Sequence, residues 1–261
     1  MPSMDVRMRQ DGLPEARGTP RPPSTRNPLL IWGGISGIIG ALAYGSTQAL
    51  PFFELFHPFP VEASQPAIVA GFWIPALFPV FALLMVYAIY RFLDEDRSRQ
   101  RHSAFLGFLF GAIAFPIAAI HMMIQATVHL EGSALVNSDP TFSPEMWNSV
   151  VAAVHGVDNG IDLAWDLFLV LWLVFTGVAM LGHRRFGLWW GVPAIVIGTL
   201  LLVVNAITVP EPPASAGLFD AGPLAGLYAL ALSVYLVKLG FGDRPERVAT
   251  NVEEAHGRGG R

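Results

Sequence analysis

About six stretches of roughly twenty apolar residues, divided by polar connections, decide what this chain can become. A helix needs ~20 apolar residues to cross the ~30 Å of hydrocarbon in a bilayer. Backbone amides and carbonyls have no water to bond there, so runs of that length must be helices. A β-barrel would show alternation in segments of about ten residues, and none is present. The spans read as about 28–50, 67–92, 103–129, 159–182, 187–208 and 218–240. Charged residues make up only 14% of the 261, against roughly 25% in soluble domains. The expected fold is all-α: a polytopic bundle of six transmembrane helices.

Orientation follows from the basic residues. All sixteen Lys and Arg lie in the N-terminal tail, the second and fourth connections and the C-terminal flank. The other three connections, around 51–66, 130–158 and 209–217, hold none. By the positive-inside rule both termini are cytoplasmic, in a multi-pass protein of the cell membrane. A five- or seven-span reading would break this alternation. Residues 1–27, polar and rich in Pro and Arg, read as a disordered tail rather than a cleaved signal, and 241–261 as a second tail.

The absence of cysteine excludes disulfides, thiolate metal sites, iron–sulfur clusters and cysteine nucleophiles. A formal net charge of −4 gives no reason to expect nucleic acid. The bilayer is the one partner indicated; no cofactor or protein partner is. Gly33, Gly37, Ala41 and Gly45, four residues apart on span 1, offer a face for close helix approach. Pro75, Pro79, Pro116 and Pro193 fall inside spans, where proline kinks a helix.

Ionisable residues at membrane depth are costly and mark candidate sites. On span 4, His155, Asp158, Asp162 and Asp166 fall within about 80° of one helix face at ~100° per residue. Ser143 before Pro144 suggests that this helix starts early and either projects outward or breaks near Gly156 or Gly160. On span 3, His121, Gln125 and His129 form a stripe at spacing four. Counting from the outer ends places His121 opposite Asp166, Gln125 opposite Asp162 and His129 opposite Asp158. Tyr44, Gln48, Asn205 and Tyr228 belong to the same outer half. The expectation is a polar pocket open to the outside and closed below by an apolar, aromatic plug. Candidate ligand- or proton-binding residues are His121, Gln125, Asp162, Asp166, Asn205 and Tyr228. A purely structural role competes at each position: hydration for Asp158 and His129 near the interface, an ion pair for His121 and Asp166. His57, His102, His183 and His256 read as solvent histidines.

Other motifs carry little. Gly34-Ile35-Ser36-Gly37 has the form of an intramembrane serine protease motif, but no intramembrane histidine lies at its depth. Lys238, at a helix end, does not suit a retinal Schiff base. Four functions remain open. An outward-facing protein could bind a proton, cation or small polar ligand. A metal-dependent hydrolase could draw ligands from His121, His129, His155, Asp162 and Asp166. A secondary transporter would use kinked helices and midplane carboxylates. An assembly component would use its tails.

The second half resembles small bacterial multi-pass membrane proteins grouped as a domain of unknown function. The likeness rests on Asn159-Gly160-Ile161-Asp162 leading to Trp165-Asp166, and on the turn Gly182-His183-Arg184-Arg185-Phe186-Gly187. It continues through Asn205, Pro212-Pro213, Gly217-Leu218-Phe219-Asp220 and Gly222-Pro223. It covers about 150–240, implies a six-helix membrane fold and carries no activity.

Overall fold

A computed structural model describes residues 26–49, 76–95, 100–138, 143–209, 211, 213 and 216–242, with 27–242 forming one compact unit. The two tails, the connection expected near 51–66, Pro75, His57, His256 and the side chains of Gln48 and His129 lie outside the described residues. Among the described residues six long helices follow one another: α1 (Pro28–Ala49), α2 (Phe78–Glu95), α3 (Arg101–Ser138), α4 (Pro144–Leu181), α5 (Gly187–Thr208) and α6 (Gly222–Gly242). Among the described residues there is no strand. All but α2 are long and apolar enough to cross a membrane. The described part of α2 is short, and Arg91, Asp94 and Glu95 close it.

Consecutive helices pack side by side, and α6 returns to lie against α1, so the bundle closes into a ring. Glycine makes the closure possible. A Cβ on Gly33 would collide with Ala88 of α2, and one on Gly34 would come within 2.6 Å of the Ser233 carbonyl of α6. Gly37 is pressed by Met85 and Ser233 together. The expected small-residue face is therefore real but two-sided, and it stops short of Gly45, beside which there is open space.

The described turn at the arginine-bearing end is tight. The α4–α5 turn begins with Gln100 Oε1 accepting from the Gly182 N–H at 3.0 Å and ends on Gly187 at φ 58°, a left-handed conformation that suits glycine. His183, expected in solvent, is buried: its Nδ1 accepts from the Arg185 N–H at 3.2 Å, and its ring packs between Phe92 and Phe186. A turn this short folds its own second residue inward. Phe186 meets Tyr235, and Tyr235 stacks on Trp190 with centroids 4.8 Å apart. These rings form the aromatic layer that the sequence led us to expect at this end.

Two helices outrun their apolar spans, the first from the early start that Ser143 and Pro144 led us to expect. The span expected from 159 is one unbroken helix from Pro144, capped by Ser143 Oγ, which accepts from the Met146 N–H at 3.3 Å. The helix runs through Gly156 and Gly160 without a break. Its partner α3 continues past 129 to Ser138. Hydropathy registers only the apolar part of such helices. Pro79 sits in the first turn of α2, where its missing N–H has no helical partner to lose, so it starts that helix rather than kinking it. Pro116 and Pro193 do lie inside helices.

The outer surface is apolar. Trp189 is 89% exposed and Trp32 67%, both in the first turns of helices that begin at the arginine-bearing end. Such a position suits an amphipathic indole at a membrane interface.

Candidate functional site

The polar side chains gather at the other end of the ring. His121 lies twenty residues beyond Arg101 on α3, and Asp162 nineteen before Leu181 on α4. At ~1.5 Å per residue, both stand about 30 Å from the arginine-bearing end, one hydrocarbon thickness away.

The α3–α4 hairpin makes the most extensive helix contact in the molecule and sets the register there. His121 is buried, with Nδ1 3.2 Å from Asp158 Oδ1 and Nε2 3.9 Å from Asp162 Oδ1. The first pair is at ion-pair distance but out of line for a hydrogen bond. The Gln125 amide donates to Asp158 Oδ2 at 2.8 Å, and its nitrogen lies 2.8 Å from His121 Nε2. Asp166, one turn further along α4, reaches α5 instead, where Asn205 Nδ2 donates to its Oδ2 at 2.8 Å and to the Leu201 carbonyl at 3.0 Å.

The pairings therefore differ from those counted along the sequence. His121 meets Asp158 and Asp162, not Asp166; Gln125 meets Asp158, not Asp162. Asp158, expected to be hydrated, is buried in this network, its side chain 13% exposed. The hairpin closes between Ser138 and Pro144, so residues about equally far from that tip face each other. Counting from the ends of the apolar runs misplaced the tip. Tyr228 is absent from the cluster: it donates its hydroxyl to the Trp190 carbonyl at 3.0 Å, near the start of α5. His155 is exposed. Among the described residues no three His, Asp or Glu side chains converge to hold a metal ion; the side chain of His129, one of the candidates, lies outside them.

The structure adds a residue that span-by-span reading passed over. Asp220, in the connection before α6, accepts from the Gly222 N–H at 2.7 Å and lies close enough to Asp162 and Asp166 to act on both electrostatically. An Asp two residues before a Gly-Pro helix start is its only signal in the sequence. Tyr44 reaches the same corner from α1, its hydroxyl 3.2 Å from where a Cβ on Gly222 would stand.

Beside Asp166 lies a partly open cavity lined by α1, α2, α3, α4 and α6, with about 60 Å³ open to the centres of water-sized molecules. That is room for several waters or a small ligand.

Comparison with protein-family models, curated proteins and solved structures finds no match, so the likeness of 150–240 to other multi-pass proteins rests on its motifs alone.

Proposed function

We propose that this chain is an integral membrane protein of six spans with both ends cytoplasmic, and that the acidic recess at its outer end binds a small cation, a proton included. One observation carries the reading. Asp158, Asp162, Asp166 and Asp220 cluster in one region, and among the described residues His121 is the sole side chain there able to carry positive charge. Asp158 takes one hydrogen bond, from Gln125, and its other oxygen stands at ion-pair distance from His121; Asp162, 3.9 Å from the same ring, makes no hydrogen bond among the described residues, and Asp166 uses one oxygen only. A buried carboxylate without a partner costs several kcal/mol, and a cation offsets that cost.

Topology supports the location. Every Lys and Arg lies in a segment at the opposite end or in the tails. Helices α3 and α4, each of 38 residues, are about 57 Å long at ~1.5 Å per residue. With one end in the inner interface, about 25 Å of hairpin stands outside the hydrocarbon, and the recess opens at its base.

Thermal unfolding of the purified protein in detergent, titrated with sodium, calcium, choline and acid at constant ionic strength, tests this. A ligand at a hundred times its Kd adds about 2.7 kcal/mol to stability. At least one cation should raise the midpoint, and Asp162→Asn should abolish the rise. A wild type whose response to every cation matches that of Asp162→Asn would overturn the reading.

A further inference from the structure

The cavity below the recess has a chemistry of its own. Its wall carries Tyr44, Phe78, Phe115, Trp165 and Trp172, and one charged side chain, Asp166; the rest is mostly glycine and alanine. The rings adjoin one another: Tyr44 to Phe78 at 5.2 Å between centroids, Tyr44 to Trp165 at 6.1 Å, Phe78 to Phe115 at 6.2 Å and Phe115 to Trp172 at 5.8 Å. Among the described residues no Lys, Arg or His lines it. Asn205 holds one oxygen of Asp166, and the other makes no hydrogen bond among the described residues.

We propose that this cavity binds a small organic cation, an amine or quaternary ammonium group, with Asp166 as counter-ion and the aromatic wall around its alkyl groups. The assignment rests on the cation-binding reading of the recess above and names the ligand class. Aromatic rings attract alkylammonium groups through their quadrupoles while accommodating the apolar substituents. An anion would face Asp166, with Asp162 and Asp220 close behind it. A bare divalent metal takes six or more oxygen donors, and this wall offers one carboxylate and one phenol. A neutral apolar ligand would strip water from the carboxylate and return nothing for it. Gly226 carries no side chain where α6 borders the space, whereas Gly40 lets α1 press close on α2 and Gly222 sits against Asp220 and Tyr44.

The test is calorimetric titration of the full chain in detergent with choline and with its uncharged carbon isostere, 3,3-dimethylbutan-1-ol. Choline should bind saturably, the isostere at least about tenfold more weakly. Asp166→Asn should remove that difference. Gly226→Leu is the second variant: its Cβ would start at an ordinary 3.4 Å from the Tyr44 ring, and the side chain would fill the cavity while leaving Asp166 in place. It should abolish choline binding. Stabilisation in phosphatidylcholine over phosphatidylglycerol nanodiscs, lost in Asp166→Asn, would show the same site holding a lipid headgroup. Equal affinity for choline and its isostere, or no Asp166-dependent response to either choline or phosphatidylcholine, overturns the assignment. If sodium, calcium or protons still act through Asp162 in that case, the recess reading stands and only the ligand class is wrong.

Discussion

The hairpin register can be tested by double-mutant cycles on the partners of His121. His121→Gln, Asp158→Asn and Asp166→Asn keep size and polarity while removing charge, and the two double mutants close the cycles. At the 3.2 Å separation of His121 and Asp158, unit charges at an effective dielectric of ~20 attract by about 5 kcal/mol. Both side chains are about nine-tenths buried, so desolvation takes back much of this. A coupling of about 1–2 kcal/mol is expected between His121 and Asp158. Asp166 faces Asn205 instead, and groups that share no contact couple by less than about 0.5 kcal/mol. Unfolding free energies from detergent titration in mixed micelles provide the measurement. A His121–Asp166 coupling larger than that of His121–Asp158 would refute the register and, with it, the recess as described.

Replacing Asn205 with Leu removes the only donor to Asp166 among the described residues and should cost about 1.5–3 kcal/mol, read from the same titrations. Gly37→Leu should cost at least about 2 kcal/mol or prevent folding, because its side chain would meet Met85 and Ser233. Gly160→Ala, in mid-helix beside open space, should raise stability by about 0.5–1 kcal/mol; a loss would mean that α4 breaks there after all.

What could be read from the sequence divides along physical lines. Apolar runs show directly, because the bilayer demands a fixed length of them, and α1 and α5 lie within a residue or so of their expected limits. The facing of His121 and Asp158 depends on where a hairpin turns, and that point lies in polar sequence beyond the hydrocarbon. Burial of His183 depends on a three-dimensional turn: only the closeness of Phe92 and Phe186 turns a residue flanked by Arg184 into a core residue. Tyr228 was assigned by depth, yet depth says nothing about which way a ring points around its helix. Asp220 was passed over although the expected sixth span began at 218: the helix starts only at Gly222, which leaves this carboxylate just before it, at the site. Residue types for the site were legible; the pairs they form were not.

Because the chain has no cysteine, a single introduced thiol can report both orientation and local charge. Phe219, 61% exposed and next to Asp220, is the position to use. Phe219→Cys should react in intact cells with membrane-impermeant methanethiosulfonate reagents, the trimethylammonium form faster than the sulfonate form by about tenfold relative to a free thiol. That preference should shrink when Asp162 and Asp220 are changed to Asn. Reaction only after the membrane is permeabilised, or equal relative rates for the two reagents, would contradict an outward-facing acidic recess.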